Sequence, residues 1–335
     1  TSTGKHVITQ GSVNSNVRKV QASLVLGTGI AFHYGVQSGE GGFVLQNSSS
    51  VVGNLYSNGP ITGSGNSIYG NVVSAGPSGI INGIHATGTV YAHTINNSTI
   101  DKDAYYITKT STTVAGTSYP GSVDQATTSL PISDAQIDEW ESDAEDGGTI
   151  SSPCPYIVSS NVVIGPRKIN CDMEIRGSGT QVTLTGPLWV VGNFTTKNSP
   201  TIKVDPSFGA KSIPIIADNP ANRTGSGIIS LQNNTTFQGS GSPTSFIFLI
   251  SQNNSSETGG STDAITMSQG TGAMILYAGH GQITLQQSVN IKEATAYKII
   301  MQNTAQVRYD TGLPSTLFDS GPGGGFDINS WTEIP

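Results

Sequence analysis

A short phrase that returns three times between residues 51 and 93 limits this chain more than any other feature. Val52-Gly53-Asn54-Leu55-Tyr56-Ser57 comes back as Tyr69-Gly70-Asn71-Val72-Val73-Ser74 and then as Thr87-Gly88-Thr89-Val90-Tyr91-Ala92, with the glycines 17 and then 18 residues apart. Each phrase alternates small and apolar residues, and the stretches between are Gly, Ser, Asn and Pro. Gly and β-branched residues both work against a helix. What fits is a short strand per repeat, closed by turns that use Gly or Asn at positive φ. A unit of this size cannot bury an apolar face alone and must stack on its neighbours. That is one coil of a parallel β-helix, with Gly53, Asn54, Gly70, Asn71 and Gly88 as its structural residues.

A second phrase recurs further on. Ile229-Ser230-Leu231-Gln232-Asn233 returns as Ile265-Thr266-Met267-Ser268-Gln269, as Ile283-Thr284-Leu285-Gln286-Gln287 and as Ile299-Ile300-Met301-Gln302-Asn303, and it already stands at Phe43-Val44-Leu45-Gln46-Asn47. Two apolar positions with one residue between them point inward, and the amides that follow mark the corner. The recurrence predicts that Leu231, Met267, Leu285 and Met301 stack in one core column, with Val52 and Ile68 in an equivalent column of the earlier stretch. Amides at equivalent corners are placed to hydrogen-bond from coil to coil. Between the phrases lie near-continuous apolar runs, such as Leu188–Val191 and Phe246–Ser251, the pattern of parallel strands buried on both faces.

Around these repeats the chain divides into five segments: N-terminal strands or a cap over 1–42, a first stack over 43–119, a linker and helix over 120–150, a second stack over 151–318, and a C-terminal cap or tail over 319–335. In the first segment, 6–9 and 17–26 read as two strands around a Gly-Ser-Asn turn. The helix is signalled by Ser133 and Gln136 as a capping box, by Ile137, Trp140 and Ala144 on one face, and by Gly147-Gly148 after it. Asp134, Asp138, Glu141 and Glu145 form an opposite, acidic face. The tail carries a glycine-rich turn at 321–325 and then Trp331, folded back as a second cap. The fold class expected is all-β: a right-handed parallel β-helix, or solenoid, with end caps and one inserted acidic α-helix, the hand following the rule for parallel crossovers.

Only 11% of the 335 residues are charged, while 42 are Gly. That is too little charge for a disordered chain and too many glycines for an ordinary helix-rich enzyme. The net charge of −7 matches the seven carboxylates between Asp134 and Asp146; the remainder is balanced. With no basic stripe, nucleic acid is not an expected partner, and no apolar run here is long enough to span a membrane. Cys154 and Cys171 stand 17 apart, which in this composition reads as one disulfide in an oxidising compartment, with two buried free thiols as the alternative.

Support for catalysis is thin, and nothing calls for a cofactor or a metal. His280 between Gly279 and Gly281 is the histidine that draws most attention, although such a setting usually marks a tight turn. Asp101-Lys102-Asp103 and the Glu174/Arg176 pair are the only charged groupings that a polysaccharide-active β-helix could use, and surface ion pairs explain them as well. Two carboxylates make a poor calcium site. Trp189 sits in an apolar run and is assigned to the core.

The phrase Gly53-Asn54-Leu55-Tyr56-Ser57-Asn58-Gly59 resembles the repeats of polymer-forming bactofilin-type β-helices. Phe32–Gln37, Ser151–Pro155, Tyr277–Gly281 and Phe326–Trp331 resemble uncharacterised exported, pilin-like surface proteins of candidate-phylum bacteria. That resemblance implies an extracellular or cell-surface location, a hydrophobic helix upstream of Thr1–Leu26, and association with a pilus or self-assembly. The function expected is therefore a non-catalytic structural or adhesive surface module facing a glycan or protein partner. A polysaccharide lyase or hydrolase, or a glycan-binding module, is the alternative.

Overall fold

The computed structural model describes residues 5–13, 16–26, 29–30, 34–268, 270–272, 274–287, 289–309, 316–317 and 326–334. The chain is mostly β, with parallel sheet and one α-helix, Asp134–Asp146, here called α1. Short strands pair in parallel, in most cases with the strand three places further along the chain. One outward-facing column can be followed from rung to rung: Thr149, Lys168, Trp189, Ile216, Ile250, Tyr277, Thr295, Gln37, Tyr56, Val73, Tyr91, Tyr105 and Tyr119. At about 4.8 Å per rung it is roughly 60 Å long.

The order of that column differs from the order of the chain. Strand Glu293–Met301 pairs with Val36–Leu45, and Gln306–Arg308 pairs with Ser50–Val52. The two repeat stretches therefore meet in one ladder, the later stretch below and the earlier one above, and they share one hydrophobic core. The outermost rungs are formed by the strands of Thr149–Ile164 at one end and those of Thr108–Pro120 at the other.

Leu231, Met267, Leu285, Met301 and Leu45 occupy successive rungs of one inner column, all essentially inaccessible. In the earlier stretch Ile68 pairs with Val51, while Val52 lies opposite the exposed Tyr69. The expected Val52 column is thus out by one residue, and with a side-chain period of two that turns the residue from the core to the outside.

The corner that carries Gly53, Gly70 and Gly88 shows why the repeat uses them. A Cβ on Gly70 would lie 2.3 Å from the Gly53 carbonyl oxygen, and one on Gly88 would lie 2.3 Å from that of Gly70. Only Gly53 has a positive φ, so close approach of successive backbones, more than turn geometry, selects glycine at 70 and 88. The neighbouring side chains complete the corner: Asn54 Oδ1 accepts from Asn71 N–H, Asn71 Oδ1 from Thr89 N–H and Asp103 Oδ1 from Thr117 N–H, each at 2.8 to 2.9 Å. At the corners after the second phrase, amides pair across rungs, Asn47 with Asn303 at 2.6 Å and Gln46 with Gln302 at 3.1 Å.

At the upper end the inner columns turn polar. Lys109 follows Ile81 and Ile95, and Ser118 follows Val72, Val90 and Ala104. An inward charge and Pro120, which has no N–H, blunt an edge that would otherwise recruit another strand. At the lower end Cys154 and Cys171 form a disulfide between adjacent rungs, with Cα atoms 6.0 Å apart.

The two terminal segments are not separate caps. Lys5–Val13 pairs antiparallel with Asn16–Leu26, as the hairpin signal implied, but Phe326–Ile334 pairs with the other edge of Asn16–Leu26. The chain ends form one three-stranded sheet because their strands hydrogen-bond to each other. The glycine-rich stretch 321–325 lies outside the described residues.

Candidate functional site

The segment after Pro120 runs back down the outside of the ladder. Asp124 pairs with His93, the Ala126 carbonyl accepts the Tyr56 hydroxyl, Thr128 exchanges hydrogen bonds with Asn58, and the Ser129 carbonyl accepts from Gln37 at 3.1 Å. The first contact lies on the rung of Tyr91, the next two on that of Tyr56, two rungs lower, and the last on that of Gln37, one rung lower again. Next the Ile132 carbonyl accepts the Tyr277 hydroxyl, and α1 begins. Ser133 caps the helix, its hydroxyl accepting from Gln136 N–H.

The helix fits its bed in length. Thirteen residues at 1.5 Å rise cover about 20 Å, and the four steps from the rung of Tyr277 to that of Lys168 cover about 19 Å. Its apolar face, Ile137 and Trp140, packs with Ile132 onto Ile216, Phe246, Phe248, Ile250, Ile275 and Tyr277. Strands Ile213–Ala217 and Ile247–Ser251 are consequently buried on both faces, one by the core and the other by this strap.

Three polar fastenings accompany the apolar contact. At the helix start, His280 Nε2 lies 3.0 Å from Asp134 Oδ1 and Nδ1 lies 2.6 Å from Glu257 Oε2. In the middle, Glu141 is buried beside Asp218, which is fully inaccessible and held by Arg223 through both carboxylate oxygens at 2.8 and 2.6 Å. At the helix end, Lys168 Nζ reaches Glu145 at 2.9 Å and sits 3.9 Å above the Trp189 ring.

Burial, followed by the charges of Asp218 and Asp138, pushes the Glu141 carboxyl up to about 8, partly offset by Arg223. For His280, burial pulls downward, but the hydrogen bonds and charges of Asp134 and Glu257 outweigh it and the net direction is up. Glu293, fully buried on the same outer face, is also raised by burial. A group that binds its proton more tightly in the folded than in the unfolded chain stabilises the fold at low pH and loses that contribution as pH rises. For Glu141 the loss runs from its ordinary 4.5 to about 8. Amide exchange over 134–146, corrected for intrinsic rates, is therefore expected to quicken across that range, and Glu141→Gln should remove the part of the change that Glu141 contributes. A corrected profile that does not change with pH would contradict this.

The sequence-derived candidates are placed as follows. His280 is engaged by two carboxylates at the foot of α1, so its role is larger than a turn residue's. Glu141, assigned to a solvated acidic face, is buried, because the bed of the helix is wide enough to take two adjacent columns of it. Trp189 faces outward, its Nε1 donating to the Asp218 carbonyl at 3.1 Å; Leu188 and Val190 on either side are the core residues. Asp101 pairs with His85 at 2.9 Å. Glu174 bridges Arg176 and Lys197, and the hydrogen bond from Lys197 leads in drawing its carboxyl down. Asp218 and Arg223 were not anticipated. Their signal was an acid directly after the apolar run Ile213–Ala217, with an arginine one turn-rich loop away. Among the described residues no group of three or more His, Cys, Asp or Glu is arranged to hold a metal ion, and no helix is long and apolar enough to cross a membrane.

No protein-family model and no curated protein matches this chain. Among solved structures, it is similar to the competence-associated pilin ComZ from Thermus thermophilus at 10% identity and a TM-score of 0.24, over 98% of this chain and 80% of the pilin chain.

Proposed function

We propose that this chain is a non-catalytic structural module of a bacterial cell surface, the ectodomain of a pilin-like or membrane-anchored protein, built as a right-handed parallel β-helix. The observation that carries the reading is the uninterrupted ladder from Thr149 to Tyr119, bound along its length by a strap that returns from the last rung to the first. Such a construction resists bending and shearing between coils, because backbone ladder, core columns and strap would have to yield together. The chain enters the ladder at Val36 and leaves it at Arg308, on adjacent rungs near mid-length. A module attached through its termini would thus be held at its waist, with two arms projecting, and either arm could meet a cell-surface glycan or protein.

The polysaccharide-active alternative needs acids and a basic residue in an open groove. Glu141, Asp138, Asp218 and Arg223 have that composition, but Glu141 and Asp218 are sealed beneath α1. Their role as a fastening accounts for the burial. Antibodies raised against the purified chain should label intact cells that express the gene. Labelling that requires permeabilised cells would contradict a surface role.

A further inference from the structure

Strand Ile61–Tyr69 departs from its neighbours at one place. Thr62 pairs with Asn82 and Asn66 with Ile84, so Gly63, Ser64 and Gly65 stand opposite the single residue Gly83. The bulge overhangs the corner of the rung beneath, Gln46 to Ser50, and creates two adjoining hollows of about 480 and 420 Å³ that share Asn47 and Ser64. Bulges of this kind recur beside binding sites, where they terminate pairing and re-aim side chains.

The overhang is fixed from below. Asn66, 4% exposed, accepts from Ser64 N–H at 2.9 Å and donates to the Asn47 and Ser49 carbonyls at 2.7 and 3.0 Å. Gly83 lets the next rung close over it, since a Cβ there would lie 2.3 Å from the Gly63 carbonyl oxygen. Gln46 Oε1 and Asn47 Nδ2 are tied to the rung beneath, so Gln46 turns its donor side and Asn47 its acceptor side away from that rung. Serine and threonine hydroxyls make up most of the remaining lining, with Val44 and Leu45 at one side; no charged side chain lines either hollow, and Tyr69, 51% exposed, stands at one end.

From this geometry we infer that the groove under the 63–65 bulge binds a neutral oligosaccharide. The chemistry selects that class. Paired amides and hydroxyls on a rigid floor match the donors and acceptors of sugar hydroxyls, because each can serve in either sense. A tyrosine ring offers an apolar face with a polar tip for a pyranose. An acidic polysaccharide would call for Arg or Lys, which the groove lacks. A drug-sized apolar ligand would call for a mostly apolar, enclosed lining. The inference extends the surface-module reading by naming what one arm meets, but its test uses the isolated chain and does not depend on where the protein resides.

The test is titration calorimetry of the purified chain with cellohexaose, mannohexaose and hexa-N-acetylchitohexaose, and with a polygalacturonate oligomer as the acidic comparison. At least one neutral hexasaccharide should bind, and Tyr69→Ala and Ser64→Arg should each weaken it at least about tenfold, the scale of about 1.4 kcal/mol. Tyr119→Ala, at another exposed tyrosine (40%) outside the groove, should leave binding unchanged. Circular dichroism of each variant separates lost binding from lost fold, and both groove variants change residues that are exposed, so the ladder should survive. The proposal is overturned if none of the three neutral probes binds, if polygalacturonate binds in preference, or if Tyr119→Ala weakens binding as much as Tyr69→Ala does. Each of these results would leave the surface-labelling experiment unaffected.

Discussion

Trp140→Ala is expected to release α1 from the ladder at a cost of about 3–5 kcal/mol. The indole is the largest fully buried side chain among the described residues, 1% exposed, and it packs in the cluster formed with Ile216, Phe248 and Ile250. Truncation leaves a cavity under the helix, which cannot collapse because the strands below are fixed by their own ladder. The remaining fastenings are the partly exposed pairs of His280 with Asp134 and Lys168 with Glu145, which contribute little by themselves, and the buried contact of Glu141 with Asp218. Exchange mass spectrometry should show protection lost over residues 130–146 while the inner columns keep theirs. Protection lost uniformly across the chain would mean that strap and ladder fold as one unit, and unchanged protection would mean that Trp140 does not fasten the helix.

Leu285→Ala acts on the ladder itself. Leu285 lies between Met267 and Met301, and all three are inaccessible. An expected loss of about 2–5 kcal/mol follows from the methyl groups removed and the cavity left. The cost should fall toward the upper part of that range, because paired strands on both sides hold the backbone of the rung in place. A thermal melt of the variant that coincides with the parent's would remove Leu285 from the core.

Much of the local architecture was legible in the sequence, since it rests on a short period. The alternation Ile-x-Leu or Ile-x-Met marks inward positions, and the residues at 231, 267, 285, 301 and 45 fall on one column as that pattern requires. The helix was legible from its cap and its face, and it spans Asp134–Asp146. Val52 shows where a short period is ambiguous. A phrase of six residues with two adjacent valines before its glycine fits either parity, and only pairing with Ile68 decides that Val51 turns inward.

Long-range order was not legible. No local signal distinguishes a coil that ends a stack from one that accepts another coil, so nothing in residues 36–45 or 293–301 states that they pair. The same reason hid the common sheet of the chain ends. The burial of Glu141 went unread because helical periodicity assigns faces but does not say how wide the bed beneath will be. Arg223, far away in sequence, partly offsets that burial. The groove at 63–65 is written as Gly63-Ser64-Gly65, which in a chain with 42 glycines looks like any other turn.

The joining of the two repeat stretches is the central feature of the fold, and one cross-link tests it directly. Ile300 and Val44 are partners in register on adjacent rungs, both pointing outward, and they are 256 residues apart in the chain. Neighbouring rungs place Cα atoms about 5 Å apart, within the range a disulfide spans. The double variant Ile300→Cys/Val44→Cys, oxidised at low concentration and mapped by mass spectrometry, should yield an intramolecular bond between these two positions while retaining Cys154–Cys171. Recovery of both new thiols free, or of bonds only between molecules, would place the two stretches apart and contradict the single ladder.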